Sequence, residues 1–165
     1  MMARWIRFSL SRDPAGSLDF ESACAGLAAA QPRSAPPILL WGEAEARYPF
    51  ALIAPLRLAP GKRWRWPAWG LAAAVAAYRQ FGVPAYLNDD QLWLHGRRIA
   101  ESLVETLGEC VVIGSSFLAR FPASCVPTPS RELEQAFRLR LEAQHGWQFE
   151  HSWPRGAELP ALAAA

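Results

Sequence analysis

The chain has 165 residues, the length of one ordinary domain, and a domain of this size buries roughly 70% of the surface that its unfolded form exposes. It is 52% hydrophobic and 19% charged, a composition that excludes an intrinsically disordered protein. The formal net charge of +2 comes from acidic and basic residues spread along the sequence, which excludes a strong overall field for gathering nucleic acid or anionic lipid.

Other residue counts narrow the class of protein further. The cysteines Cys24, Cys110 and Cys125 lie in neither a CxxC pair nor closely spaced clusters, so we expect no disulfide framework and no metal site. No apolar run reaches the ~18 residues that a membrane-spanning helix needs, and arginines interrupt the N-terminal stretch. We therefore expect a cytoplasmic protein with neither a membrane nor a nucleic acid as its partner.

The first half of the sequence predicts alternating strands and helices. The apolar spacing around Phe20, Ala23, Cys24 and Leu27 is typical of a helix, with Ser17 as its N-cap. In chain order the sequence predicts a strand over 4–10, a helix from Ser17 to about residue 30, and strands over 38–41 and 48–58. The second of these strands should end near Pro55. A second helix should begin at Pro67 and bury Leu71, Ala74, Val75 and Tyr78.

The second half predicts a block of strands followed by a helix. Two short strands flank a turn at His95-Gly96, and a longer strand covers 109–121. A helix over 130–146 directs Leu133, Ala136, Phe137 and Leu141 inward and stops at Gly146. The order of elements predicts an α+β fold with a mixed, largely antiparallel sheet and flanking helices. We expect one domain over 1–153 and a flexible Pro/Ala-rich tail over 154–165.

The segment "DDQLWLHGRRIAESLVE", residues 89–105, resembles the central segment of the biotin and lipoate protein ligase superfamily. The residues that match the family pattern are Gly96, Arg97, Ile99, Ala100, Leu103, Val104 and Glu105. The segments "DPAGSLDFESACAGLA", "PPILLW", "WGLAAAVAAYRQFGV" and "RELEQAFRLRLEAQHGWQFE" resemble other parts of these ligases in the same order. The resemblance covers about residues 10 to 150 and implies a class II synthetase-like domain.

These ligases use ATP to convert a carboxylic acid into an acyl-adenylate, which a lysine of a carrier domain then attacks. The family holds the phosphates with an arginine- and glycine-rich loop and a lysine. This sequence contains neither adjacent glycines nor Gly-x-Gly, and it places Glu43 and Glu45 where that loop is expected. The family lysine falls on Arg98, which cannot exchange a proton at neutral pH, and a family glycine falls on Glu101. We therefore expect a divergent member that does not adenylate its ligand and needs no cofactor.

The resemblance implies a binding site for a lipoyl, biotinyl or octanoyl group, or for the lipoyl or biotinyl carrier domain or acyl carrier protein that bears it. We expect the site to comprise Arg97, Arg98, Ile99, Ala100, Glu101, Asp90 and Trp93. The family's Asn-Asp pair falls on Asp90-Gln91, although Asn88-Asp89, two residues earlier, is the alternative. On a straight strand Arg98 and Glu101 would point to opposite sides, whereas a bend would let them pair.

Other functions remain open from the sequence. "FPASC" resembles the segment before the nucleophile of the octanoyl and lipoyl transferases, which implies Cys125 as a catalytic thiol with Arg98 lowering its pKa. A passive, half-buried thiol at Cys125 is the favoured alternative. A protein-interaction module without a ligand is a further alternative. We expect Cys24 and Cys110 to be core residues. The cluster "KRWRWPAW" mixes cations and aromatic rings as single-strand nucleic-acid grooves do, but a loop anchored by tryptophan at the second helix is favoured.

Overall fold

The computed structural model describes residues 1–9, 16–120 and 130–158 of the chain. Nine strands and three α-helices lie within these ranges. They are β1 (Met2–Ser9), α1 (Gly16–Ala30), β2 (Ile38–Glu43), β3 (Arg47–Pro55), α2 (Trp66–Gln80), β4 (Tyr86–Asn88), β5 (Gln91–Leu94), β6 (Arg97–Ala100), β7 (Leu103–Leu107), β8 (Cys110–Leu118), α3 (Ser130–His145) and β9 (Gln148–His151).

Six of the strands form one mixed sheet, the main sheet, in the order β7-β8-β3-β2-β1-β9. β1 runs parallel to both β2 and β9, and the other pairs are antiparallel. β4, β5 and β6 form a second, antiparallel sheet, the small sheet. The predicted α+β class with a mixed, largely antiparallel sheet is therefore confirmed.

Successive side chains of the main sheet point to opposite sides, and each side has its own hydrophobic core. The side covered by α2 and α3, the closed face, buries Leu39, Trp41, Phe50 and Leu52 against the two helices. The side covered by α1, the open face, has a smaller core that includes Ile6, Phe20, Cys24, Leu27, Ile38 and Leu40. Cys24 and Cys110 are both buried free thiols in the smaller core, as predicted.

Local sequence signals explain several element boundaries. β3 ends at Pro55, as expected of a residue that cannot donate to a sheet. α2 has a proline in its first turn, and α3 is followed by Gly146 with φ of 69°. α1 begins at Gly16, so Ser17 lies inside the first turn instead of serving as the N-cap. Glycine at position 70 lets α2 approach the sheet closely, because a Cβ there would lie 2.6 Å from Ile113.

Tryptophan anchors the loop that leads into α2. The indole N–H of Trp66 donates a hydrogen bond of 2.7 Å to the carbonyl of Pro60, and the side chain is buried. The Arg63 guanidinium lies 5.4 Å from the Trp66 ring centroid. These contacts are those of the anchored loop that the sequence favours for "KRWRWPAW".

The C-terminal segment packs against β1 on the open face. Nη1 of Arg4 donates to both carboxylate oxygens of Glu158, at 2.7 and 3.0 Å, and both side chains are buried. Arg4 also donates to the Ser152 hydroxyl and the Trp153 carbonyl. Glu158 belongs to the segment predicted as a flexible tail, so the described part of that segment is fastened to the sheet through this residue. No helix in the described ranges is both long and apolar enough to cross a membrane.

Candidate functional site

A large groove opens on the open face, beside α1. Its volume is about 1840 Å³, and it lies between α1, the turn joining β2 to β3, and the segment joining β6 to β7. Its apolar lining includes Phe20 from α1, Pro49 and Ala51 from β3, and Leu103 from β7. Of the described helices, α1 covers this face and α2 and α3 cover the other, although the lining also reaches Phe50 and the first residue of α3, Ser130.

Two glycines shape the groove. A Cβ at Gly42 would lie 3.1 Å from Pro49 and 3.2 Å from the Phe20 ring, so glycine there allows Phe20 to pack onto β2 and β3. A Cβ at Gly114, which faces Ala51 across the β3–β8 pairing, would lie 3.3 Å from the Phe50 carbonyl oxygen. The absence of side chains at these two positions leaves room for the neighbouring residues beside α1 to pack closely.

Arg98 and Glu101 form an ion pair at the edge of the groove. Nη2 of Arg98 lies 3.2 Å from Oε1 of Glu101, and the two side chains are 52% and 79% exposed. The expectation that they point to opposite sides of a straight strand is wrong, because β6 ends at Ala100 and Glu101 lies in the segment before β7. The alternative, in which the two side chains pair, is correct.

Arg47 is a groove residue that the sequence reasoning missed. Its Nη1 donates to the carbonyl of Ile99 at 2.6 Å and to the hydroxyl of Ser116 at 3.3 Å. These bonds link the last strand of the small sheet to β8 of the main sheet. The available signal was an arginine directly after the acidic stretch "GEAEA", immediately before the strand predicted over 48–58.

Hydroxyl groups fix the segment that joins β6 to β7. Ser115 donates to the Glu101 carbonyl at 2.9 Å, and the hydroxyls of Ser102 and Ser115 are 3.4 Å apart. The Ser102 N–H donates to the side-chain oxygen of Gln91 at 3.0 Å. The wall of the groove that carries Arg98 and Glu101 is therefore held by polar contacts from both sheets.

The turn between β2 and β3 supplies an acidic edge. Glu43 and Glu45 both line the groove, and Glu43 accepts a hydrogen bond of 2.6 Å from the hydroxyl of Ser130, the first residue of α3. Burial, and secondarily the Glu43 charge, raises the pKa of the Tyr48 hydroxyl. The Ala44 N–H bonds to the Arg47 carbonyl, which closes the turn tightly.

The structure brings four of the predicted binding residues to the groove. Arg98, Ile99, Ala100 and Glu101 belong to its lining. The other three lie nearby on the small sheet, outside the described lining. Arg97 is exposed opposite Leu94 in the β5–β6 ladder, and Trp93 pairs with Arg98. The Asp90 carboxylate accepts a bond of 3.0 Å from the Gln91 side chain.

The candidates for the family's Asn-Asp pair flank one turn. Asn88 ends β4, Gln91 begins β5, and Asp89, with φ of 55°, lies between them in the left-handed region. His95 has φ of 50° and Gly96 has φ of 75°, as a two-residue hairpin turn of type I′ requires. The predicted role of these two residues in the turn is thereby confirmed, and the choice between Asp90-Gln91 and Asn88-Asp89 stays open.

The two described thiols, Cys24 and Cys110, have low reactivity. Cys24 touches the groove, but burial, together with the nearby Glu21 charge, raises its pKa to about 12. Burial, and secondarily the Glu109 charge, raises the pKa of Cys110 as well. Both therefore stay protonated at neutral pH and are weak nucleophiles. Cys125, the predicted nucleophile, lies outside the described residues.

Comparison of sequences gives no relative for this chain. No protein-family model matches it, and no curated protein matches it either.

Comparison of structures finds solved proteins with a similar fold. A bi-partite lipoate protein ligase of Thermoplasma acidophilum, described with its E2 lipoyl domain, superposes with a TM-score of 0.79 at 8% identity, over 99% of this chain and 91% of that one. Lipoate-protein ligase A bound with ATP superposes with a TM-score of 0.80 at 10% identity, over 99% of this chain and 94% of that one. The biotin protein ligase of Aquifex aeolicus gives 0.62 at 10% identity, over 87% and 69%. This chain thus has the fold of the lipoate and biotin protein ligases, as the resemblance in its sequence predicts.

Proposed function

We propose that this chain binds a lipoyl, octanoyl or biotinyl group, or the carrier domain that bears it, without adenylating it. The observation that carries the proposal is the groove of about 1840 Å³, which the predicted residues Arg98, Ile99, Ala100 and Glu101 help to line. Its apolar residues suit an acyl chain or a ring, and its hydroxyls and arginines suit the polar end of such a ligand.

The fold supports an acyl ligand and a carrier partner. The Thermoplasma acidophilum relative is a lipoate ligase described with its E2 lipoyl domain. The biotin acetyl coenzyme A carboxylase synthetase of Helicobacter pylori, with bound biotinylated ATP, matches this chain with a TM-score of 0.52 at 14% identity. A shared fold indicates the class of ligand only by analogy, so the direct test is to measure whether this chain binds such a ligand.

The charges of the groove argue against an ATP-dependent step. The turn between β2 and β3 places Glu43 and Glu45 in the lining, where their carboxylates would repel a triphosphate. The resemblance in the sequence puts Arg98 in the place of the family lysine, and Arg98 is already paired with Glu101. Arginine keeps the charge of lysine, but its planar group neither fits the same position nor transfers a proton at neutral pH.

Calorimetry with separate ligands tests the proposal. We expect lipoamide, octanoate or biotin to bind in the micromolar range and ATP not to bind. The blocking variant Ser116→Trp fills the groove and should weaken acyl binding at least about tenfold, a loss of about 1.4 kcal/mol. Leu139→Trp, on the exposed surface of α3, adds the same side chain elsewhere and should leave binding unchanged. Micromolar ATP binding, or acyl binding that survives Ser116→Trp, would contradict the proposal.

An ATP-independent acyltransferase is the alternative, with Cys125 as nucleophile. Its thiolate would attack the carbonyl carbon of a thioester-linked octanoyl group, and the carrier thiolate would leave and take up a proton. The raised pKa values of Cys24 and Cys110 favour Cys125 as the site of any adduct. Intact mass after incubation with an octanoyl carrier protein should show an octanoyl adduct that Cys125→Ala removes and Cys110→Ala keeps. An unmodified mass under these conditions would leave binding, or a role as an interaction module, as the function.

A further inference from the structure

The groove adjoins a second, smaller cavity, and we call the two together the channel. The second cavity, of about 280 Å³, lies between α1 and β7, and the two share Glu21, Cys24 and Leu103 in their linings. Among the residues that the structure describes, their linings contain two arginines, Arg47 and Arg98, and five glutamates, namely Glu21, Glu43, Glu45, Glu101 and Glu105. The channel thus carries a surplus of three negative charges.

The contacts of these groups leave most of the negative charge uncompensated. Glu101 is paired with Arg98, whereas Arg47 directs its hydrogen bonds to a carbonyl and a hydroxyl. Glu43 accepts its described hydrogen bond from the neutral hydroxyl of Ser130. Within the described residues, the other four glutamates of the channel form no ion pair.

This concentration does not follow from composition. The whole chain has 17 basic and 15 acidic residues, so the residues outside the channel include more basic than acidic ones. Segments 10–15 and 121–129 contain one Arg and one Asp between them, so their formal charges cancel. A concave surface with low-dielectric walls focuses such a field and raises the local concentration of cations.

We propose that the channel receives an extended, lysine- or arginine-rich segment of the acyl-bearing partner. The five carboxylates come from α1, the β2–β3 turn, the β6–β7 segment and β7, so a single ammonium ion could not contact them all. A polypeptide with several spaced cations can do so. This inference rests on the proposed function, because the same partner supplies the acyl group to the apolar part of the groove.

Fluorescence anisotropy with three labelled twelve-residue peptides tests the inference. The first carries octanoyl-lysine flanked by arginines, the second carries octanoyl-lysine flanked by glutamates, and the third is the arginine peptide with a threonine in place of octanoyl-lysine. We expect the first to bind at least about tenfold more tightly than the second, and its affinity to fall steeply between low and high salt.

Charge-neutral variants locate the contact. The double variant Glu21→Gln/Glu45→Gln should weaken the first peptide by about fivefold or more. Glu150→Gln, on the edge strand β9 at the far side of the main sheet, removes the same charge outside the channel and should leave affinity unchanged.

The outcomes separate the two proposals. Equal or tighter binding of the glutamate peptide overturns the basic-partner inference and leaves acyl binding standing. Equal binding of the first and third peptides overturns acyl recognition and leaves the basic partner standing. Binding that is insensitive to salt or to the double variant overturns the basic partner, and no binding of any peptide overturns both.

Discussion

The two faces of the main sheet differ in how completely they are covered. On the closed face, α2 and α3 bury an aromatic cluster. The ring centroids of Phe50 and Phe137 are 4.6 Å apart in it, and those of Tyr78 and Phe117 are 4.9 Å apart. Trp41 packs on the same cluster, 5.8 Å from Phe117. On the open face, α1 covers a smaller core and leaves the groove beside it.

The difference indicates a division of labour within one sheet. Aromatic burial on the closed face supplies stabilisation mostly through rings that lie outside the groove lining. The open face can then tolerate small residues, serines and unpaired carboxylates, which contribute little to stability but suit a ligand. Variants on the two faces should therefore separate stability from binding.

The largest effect is expected from Phe117→Ala on the closed face. Phe117 is fully buried and contacts Trp41, Phe50, Tyr78 and Phe137, so truncation leaves a large cavity. We expect a loss of about 4 kcal/mol in the free energy of unfolding, measured by urea denaturation. Phe20→Ala, the matched truncation on the open face, should cost less because Phe20 borders the groove. Equal losses would contradict the division of labour.

A second variant tests whether the open face also contributes to stability, because this face contains the buried ion pair of Arg4 and Glu158. Glu158→Ala leaves the Arg4 guanidinium buried without its carboxylate, and we expect a loss of about 3 kcal/mol in urea denaturation. The double variant Arg4→Met/Glu158→Leu removes both charges and should recover most of this loss. A loss below about 1 kcal/mol for Glu158→Ala would mean that the segment around Glu158 contributes little to the fold.

The sequence predicts the fold well because hydrophobic spacing is a local property. The spacing of Leu133, Ala136, Phe137 and Leu141 predicts the buried side of α3, and all four are buried. Pro55, Pro67 and Gly146 mark boundaries through backbone chemistry that holds in any context. The central motif then identifies which arrangement of these elements the chain adopts.

The site is less predictable because its contacts join residues far apart in sequence. The bond from Arg47 to the Ile99 carbonyl spans 52 positions, and no local pattern encodes it. Pairing of Arg98 with Glu101 depends on where β6 ends, and strand ends are poorly marked in short, polar segments. The uneven charge of the channel likewise arises only when α1, β7 and two turns are brought together.

A smaller effect is expected from pH, through His145 at the end of α3. Its ring stacks on Trp147 at 4.3 Å and lies 5.0 Å from Trp69, and burial lowers its pKa. The unfolded chain therefore takes up a proton first, so stability should fall as pH drops below the ordinary value of 6.5 and level off below the lowered pKa.

Thermal unfolding measured between pH 8 and pH 5 checks this expectation. His145→Phe keeps the aromatic packing without a titratable group and should lose the His145 part of the pH dependence. The change should be smaller than the loss from either Phe117→Ala or Glu158→Ala, since His145 is partly exposed. An unchanged pH profile in His145→Phe would show that the ring is not kept neutral by the closed face.

The smallest effect on stability is expected from Glu101→Gln at the edge of the groove. The Arg98–Glu101 pair is largely exposed, so its removal should change the free energy of unfolding by no more than about 0.5 kcal/mol. Binding should respond more strongly than stability, because the variant frees the Arg98 guanidinium and lowers the negative charge of the channel. We expect octanoate to bind more tightly and the arginine-flanked peptide more weakly, by calorimetry and anisotropy respectively. If the variant instead loses stability without a change in either affinity, Glu101 contributes to the fold and not to binding. The open face would then contribute more to stability than the presence of the groove indicates.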